Sequence, residues 1–507
     1  MTRWIALLAA TLGLSACVEP PPMPEPLEDI GPIANDTDPP PNRDFEWSIH
    51  APSSAHAGGW IPIVVRGPTD FSGAVDLLMN EKSTPVNVHR GVGSVVRVFD
   101  EAILSLQVSG ASPIHEVHGS NQPTRQLSGI LSGDDLVWDA KALIFIEDTV
   151  KIPAGAYLSV GAGTHVQLAP NVRIEVSGEL GIDGTEDEPV VFAPASEDAW
   201  GGLHLAPKSS ASAAHAWWIG GGGDTSRAFG HSQSQPIIRV EEATFSAQGG
   251  GALDSPGKAF GASDSRVTLQ NFLTSRCDTG GEFERSHLIV MGSHFLEIPD
   301  ADGLLDDDDN DALYLVDVLL EDGEPLESHI TNSVFSLGED DAIDQNGARV
   351  VIQRSWITGF AHEGVAASNG ERIWIRNTLI ENCDQGIEAG YGSPEVIVDN
   401  CVVVHNNHGL RMGDGYDWEV NGTLTVTNTV GVSNRVANVT NHVKRLNGPA
   451  PGAIQIMCSM VDDPSWDGIQ GNLSGIPEWD SNGCLIEDSK GKGAGCDTPD
   501  IGKLTCP

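Results

Sequence analysis

This sequence has little positive charge: 28 lysines and arginines stand against 71 aspartates and glutamates, a formal net charge of −43. Nothing in so acidic a chain offers a basic groove to phosphates, which argues against nucleic acid as a partner. A polyanionic substrate is disfavoured too, unless a cation bridges the two. Beyond the first residues, no apolar run is long enough to cross a bilayer. Cysteine spacings of the zinc-site kind are absent. The repeated segments described below lack apolar residues at three- and four-residue spacing, which excludes helical repeats, and lack the framework of a leucine-rich repeat.

What is present begins at the N-terminus. Arg3 is followed by an apolar run from Trp4 to Leu14 and then by Ser15, Ala16 and Cys17, the order of a secretory signal. This ending resembles the lipobox of bacterial lipoproteins. The resemblance implies a signal peptide over 1–17, lipidation of Cys17, and attachment to the membrane through that anchor only. Val18 is not the aspartate associated with inner-membrane retention, so the outer membrane is expected, at the cell surface or on the periplasmic face. Residues 18–43 are rich in proline and acid, with Pro20 to Pro22 and Pro39 to Pro41, and read as an extended linker.

Short alternating runs over 44–118 (Trp60 to Val65, Ala74 to Met79, Val95 to Phe99, Ile103 to Val108) are separated by turn residues. They predict a small immunoglobulin-like β-sandwich. From Leu136 onward the short strands become a long procession. Tyr157 to Val160 recurs as Glu179 to Ile182, and Val166 to Leu168 as Val190 to Phe192. The stretch from Ile152 to Gly202 resembles the opening coils of many bacterial right-handed β-helix proteins. A glycine-rich loop, Gly220 to Gly223, interrupts, and Trp217 and Trp218 beside it read as packing residues.

The strongest repeat superposes Ile330 to Phe335, Ile352 to Ile357, Ile375 to Ile380, Val398 to Val403 and Val426 to Gly431. Their third positions, Asn332, Arg354, Asn377, Asn400 and Asn428, step by 22, 23, 23 and 28 residues. Ala342, Gly364, Gly386 and Gly409 keep the same step. A period in the low twenties with short strands predicts a solenoid whose coils stack about 4.8 Å apart, so that equivalent positions form columns. Asparagine at the third position then reads as a ladder bonding coil to coil. The expected fold class is all-β: a right-handed parallel β-helix over 130–446, resembling the pectin-lyase-like superfamily, behind the small sandwich. Residues 447–507 form a C-terminal cap. Its Cys458, Cys484, Cys496 and Cys506 are disulfide candidates of open connectivity, while Cys277, Cys383 and Cys401 lie in the body.

Read along the columns, the sequence gathers ionisable groups on one face. One column holds Asn310, Asp340, His362, Asp384 and Asn407; its neighbour holds Asp311, Asp341, Glu363, Gln385 and His408; beyond them stand Tyr314, Asp344, Ala366, Glu388 and Arg411. Like charges about 5 Å apart raise one another's pKa or recruit a cation. A carboxyl kept protonated near neutrality is a general acid, and paired carboxylates are the machinery of glycoside hydrolysis. Asn310–Asp311, Asp340–Asp341 and His362–Gly364 resemble the catalytic series of polygalacturonase-type glycosidases. That resemblance casts Asp311, Asp340 and Asp341 as acid and water-activating base, with His362 as supporting partner; Glu363 beside it is a further catalytic candidate. In register, Glu363 rather than His362 stands in the family's histidine column, the first motif lacks its threonine, and Ile387–Ala389 replaces the family's basic triplet. Asp344, Asp384, Glu388, His408 and Arg411 are the candidate substrate-binding residues. His405, Asp414, Tyr416 and Trp418 lie nearby and suit sugar stacking and hydroxyl contacts; arginine beside histidine also suits a lyase.

Asp300, Asp302, Asp306 and Asp309, with Gly303 at a turn, suit the oxygen ligands of calcium and resemble thrombospondin type-3 loops, although the run also reads as a solvated acidic turn. Ile298 stands where a further acid is expected, and no glutamate closes an EF-hand. Two functional readings follow. One is a cell-envelope lipoprotein whose calcium-stiffened β-helix is a surface binding or structural module for polysaccharide or cell-surface glycan. The other is a tethered polysaccharide hydrolase or lyase using the Asp340/Asp341 face.

Overall fold

The computed structural model describes residues 46–224, 229–230, 235–298, 310–413, 420–441, 453–478, 485–486, 488–496 and 500–502. The signal segment with Cys17, the linker 18–43, and Cys484 and Cys506 lie outside them.

Each coil of the C-terminal half contributes three short strands. The first series comprises Leu313–Val316, Ile343–Asn346, Glu363–Asn369, Gln385–Gly392 and His408–Met412. The second comprises Ser328–Thr331, Val350–Gln353, Arg372–Arg376, Glu395–Asp399 and Thr423–Thr427. The third comprises Val334–Gly338, Trp356–Phe360, Leu379–Glu381, Val402–Val404 and Val430–Val432. Pairing within each series is parallel, and crossovers between parallel strands of one sheet are right-handed. The body is a right-handed parallel β-helix. Its ladder starts earlier than 130, where Thr124–Ile130 pairs with Leu143–Ile152. It also runs past 446, through Ala453–Met457 and Met460–Val461. The first strand buries few apolar groups, and Cys458 stands where the final coil would show asparagine, so neither end carries the repeat's signature.

Inward positions repeat from coil to coil: Ile330, Ile352, Ile375, Val398 and Val426 form one column of the core, and Phe295 stacks on Phe335 with ring centroids 5.0 Å apart. Each buried aliphatic side chain contributes about 1.5–3 kcal/mol. Trp218 belongs to this core, whereas Trp217 packs outside it.

The asparagine column has a backbone cause. Asn332, Arg354, Asn377, Asn400 and Asn428 all turn the chain with φ between 50° and 52°, the left-handed region that asparagine tolerates best after glycine. Asn400 donates to Asn377 Oδ1 at 2.6 Å, and Arg354 to Asn332 Oδ1 at 2.9 Å. One residue on lies a buried hydroxyl ladder. The Ser333 amide donates to Ser355 Oγ (3.3 Å), the Ser355 amide to Thr378 Oγ1 (3.4 Å), and the Cys401 amide to Thr429 Oγ1 (3.2 Å). These side chains satisfy amides that leave the β-ladder at the corner.

Residues 48–119 form two sheets, of three and five strands, around one core that includes Ile61, Ile63, Leu77, Phe99, Leu104 and Leu106. This module covers the outer face of the third strand series. Trp60, Val64, Val92 and Val96 pack on Val191, Trp217, Leu253, Leu273, Leu296 and Val334, and Arg90 lies 4.2 Å over the Trp356 ring. Further along, Ile501 covers Val402, Val404, Val430 and Val432. A Cys458–Cys496 disulfide closes this end, where the Cys496 amide donates to Asn428 Oδ1 at 2.9 Å. Among the described residues no helix is long and apolar enough to cross a membrane.

A β-branched side chain at a left-handed corner is strained by about 1–3 kcal/mol. Asn400→Val is therefore expected to lower stability in urea by about that much, and Asn400→Gly by clearly less. Equal losses would mean that the side-chain ladder, not the backbone, selects asparagine.

Candidate functional site

The corner between the third and first strand series carries the acidic columns. Backbone bonds set their register: the Gly280 amide donates to the Asp311 carbonyl, Ala312 to Asp341 and Ala342 to Glu363, at 2.9 to 3.0 Å, while Glu363 pairs with Gln385 and Gln385 with His408. Followed backward through the Ala259-to-Thr279 bond, the same column reaches Thr279 and then Lys258. The structure thus extends the file to Lys258, Thr279, Asp311, Asp341, Glu363, Gln385 and His408.

This file belongs to the wall of the coil. Asp311, Asp341, Glu363 and Gln385 are each no more than 5% exposed. Asp311 Oδ1 accepts the Asp341 amide at 3.3 Å, and Asp341 Oδ1 accepts the Glu363 amide at 2.6 Å. The Gln385 amide donates to Glu363, and its oxygen accepts from Arg411. Arg411 also pairs with Glu388 at 3.2 Å. At the far end Lys258, fully buried, meets Glu282 at 2.6 Å and the Phe229 carbonyl at 3.0 Å. Burial pushes the Lys258 ammonium below its ordinary range, against the pull of Glu282, Asp278 and Asp311. The buried acids therefore lie between a cation at each end.

His362 stands in the outer column beside Asp340, yet its ring leans across. Nδ1 lies 2.5 Å from Glu363, 3.1 Å from Asp340 and 3.4 Å from Asp341. Burial opposes charge on this imidazole, but its hydrogen bonds to Asp340, Asp341 and Glu363 outweigh that and raise its pKa far above the usual histidine range. Burial, then the Asp341 charge, likewise raises the Glu363 carboxyl well above the ordinary carboxylate range. One ring nitrogen cannot donate fully to three carboxyls, and the protonation of His362 and that of Glu363 depend on one another. One ligand atom each from Asp340, Asp341 and His362 also lie within 4.8 Å of one another. A cation there would have to displace the imidazolium proton.

Asp384 accepts from Asn407 at 2.5 Å in the outer column, and His408 Nδ1 is 3.0 Å from Thr440 Oγ1. On the adjoining strand face, Asp344 pairs with Tyr314, and Glu388 with Arg411. Asn346 donates to the hydroxyls of Tyr314 (3.0 Å) and Tyr391 (3.1 Å). His405 lies apart, 3.8 Å from Glu381. Asp300, Asp302, Asp306, Asp309, Asp414, Tyr416 and Trp418 fall outside the described residues. Sequence reading missed Lys258, Glu282, Asn346 and Tyr391. Asn346 could have been found by strand alternation from Asp344. Tyr391 could not, because a bulge shifts the register between Ala367 and Asn369.

Residues 321–460 match the family model of the right handed beta helix region. No curated protein sequence matches the chain. Among solved structures, the periplasmic alginate epimerase AlgG is 12% identical over 68% of this chain and 76% of its own, with a TM-score of 0.31. The alginate lyase AlyGC of family PL6 is 12% identical over 68% of this chain and 55% of its own, TM-score 0.31. The GH87 α-1,3-glucanase catalytic unit of Streptomyces thermodiastaticus strain HF3-3 is 11% identical over 81% of this chain and 97% of its own, TM-score 0.27.

A histidine whose folded pKa is raised stabilises fully below its unfolded value near 6.5, and that contribution declines as pH rises toward the folded value. Glu363, also raised, adds a loss of the same sign. The thermal midpoint is expected to fall as pH rises from 6.5 to 9, and His362→Gln to remove most of that fall. An unchanged slope in the variant would place the proton elsewhere.

Proposed function

We propose that this chain is a cell-envelope lipoprotein, tethered through Cys17, whose β-helix is a non-catalytic module that binds glycan at the surface. The observation that carries this reading is where the carboxyls point. A glycosidase needs two carboxyl groups aimed at the sugar from opposite sides. Asp311, Asp341 and Glu363 instead face their own coil neighbours, where they receive backbone amides and the Gln385 side chain. The groups around them are neutral or paired: partly exposed Asn346 and Tyr391 with buried Tyr314, Asp384 with Asn407, and Arg411 with buried Glu388. Hydroxyl and amide groups beside aromatic rings suit sugar hydroxyls. Calcium held by Asp300, Asp302, Asp306 and Asp309 would stiffen the chain that leads into Asn310.

The second reading, a tethered polysaccharide hydrolase or lyase, draws on one observation. His362 is half exposed while its Nδ1 lies within 3.4 Å of Asp340, Asp341 and Glu363, so an imidazole and carboxyls meet at one accessible point, as proton transfer to a leaving group requires.

Incubated with neutral and uronate polysaccharides, with and without calcium, the purified mature chain is expected to be retained on at least one glycan and to release no reducing ends or unsaturated products. Turnover that disappears in Asp341→Asn would establish the enzyme instead. Separately, calcium is expected to raise the thermal midpoint and a chelator to lower it. Both effects should vanish in Asp300→Asn/Asp302→Asn; a calcium response intact in that variant assigns the ion elsewhere.

A further inference from the structure

We propose that the junction between the sandwich and the β-helix is an acid-sensitive latch, closed by two uncharged histidines, His165 and His294, and opened when they take up protons. Both belong to the outward column of the third strand series. Strand pairing orders that column His165, Val191, Trp217, Gly251, Leu273, His294, Val334. Every other member is apolar or glycine, and the sandwich packs on them through Trp60, Val64, Val92 and Val96.

Each histidine faces another base from the sandwich side. His165 is buried, with Nε2 3.2 Å from the Ser54 carbonyl and its ring edge-on to His56, centroids 5.6 Å apart. The nearest acid is Glu188, already engaged by the Ser53 hydroxyl at 2.5 Å and Lys141 at 2.9 Å. His294 is partly buried and borders a cavity of about 30 Å³ together with Val64, Arg66, Val92, Trp217 and Leu273. The charged or titratable groups facing it are Arg66 and His89. His89 is itself tied to Ser336 at 2.8 Å and lies 3.4 Å from Glu297, which also binds Asn87 and Arg276. A proton on either latch residue would place a cation in an apolar seam beside a second base. His50, 2.8 Å from Glu186, and His89 keep a carboxylate in reach and are not latch groups.

The sign follows from linkage. Burial, then His56, lowers His165 to about 4; burial, then Arg66 and His89, lowers His294 to about 3. Freed from the seam, each returns toward 6.5. Between those values the open form binds more protons, so docking is at full strength above pH 6.5 and weakens as pH falls. At pH 4.5 each histidine alone favours opening about a hundredfold.

Dyes placed at Ser83, exposed on the sandwich, and Arg354, exposed on the β-helix, report docking by energy transfer in the full mature chain. Transfer is expected to be high at pH 7.5, to fall with a midpoint between 6.5 and 4, and to return on neutralisation. The double variant His165→Gln/His294→Gln should hold transfer to a pH at least one unit lower. Constant transfer down to pH 4 in the parent protein, or loss at the same pH in the variant, overturns the latch. Should the variant not fold at pH 7.5, titration of ¹³C-labelled histidines in the parent decides. Two imidazoles that stay neutral to pH 5 while docked support the proposal; no imidazole staying neutral to pH 5 with docking intact overturns it.

Discussion

Coils stacked at β-ladder spacing leave no side chain on its own: whatever stands at one position meets its counterpart about 4.8 Å above and below. For apolar residues this is simply favourable, and Ile330, Ile352 and Ile375 need nothing but each other. For a polar or charged group it is a demand. An unpaired amide at a corner must find an oxygen on the next coil, and a buried acid must find a donor or keep its proton. The hydroxyl ladder through Ser333, Ser355 and Thr378 answers the first demand. The file from Lys258 to Arg411 answers the second.

That file explains why the acidic corner looks catalytic and is nonetheless largely inward. Three acids in one column would repel if all were ionised. The structure resolves this with backbone amides on Asp311 and Asp341, a raised carboxyl at Glu363, and His362 leaning in from the next column. Each device could serve catalysis, but each also balances charge within the coil wall. Perturbed titration here is thus a consequence of stacking before it is a sign of chemistry.

How much of this could be read in advance depended on whether the period survived. Between Asn332 and Asn428 it did, and the columns drawn there match the strand register residue for residue, including Glu363 over Asp341. The step from Thr279 to Asp311 is longer than the period, which hides that Lys258 and Thr279 continue the same column. Bulges hide more: Tyr391 reaches Asn346 only because the register slips. The covering of the third strand series had left a trace that was legible but unread. Val334–Phe335, Trp356–Ile357, Leu379–Ile380 and Val402–Val403 are adjacent apolar pairs, where a strand with one wet face would alternate. The second member of each pair fills the core, and the first waits for a cover.

Two covers meet that need from opposite ends of the chain. The sandwich takes the early coils, and the segment around Ile501 takes the late ones. Among the described residues, the third series is covered at both its early and its late coils, and the acidic corner marks the boundary of the neighbouring face. The two covers also differ in kind. The C-terminal one is fixed by the Cys458–Cys496 link, by apolar contacts around Ile501, and by the Cys496 and Gly502 amides on Asn428, none of which titrates in this range. The N-terminal one interrupts its apolar seam with His165 and His294, at sites where Val191 and Leu273 show that an aliphatic residue fits the same column. An aliphatic seam would hold at any pH, whereas a seam with neutral histidines holds only while they remain neutral. The position of those two residues therefore makes the sandwich the conditional cover and the C-terminal segment the permanent one.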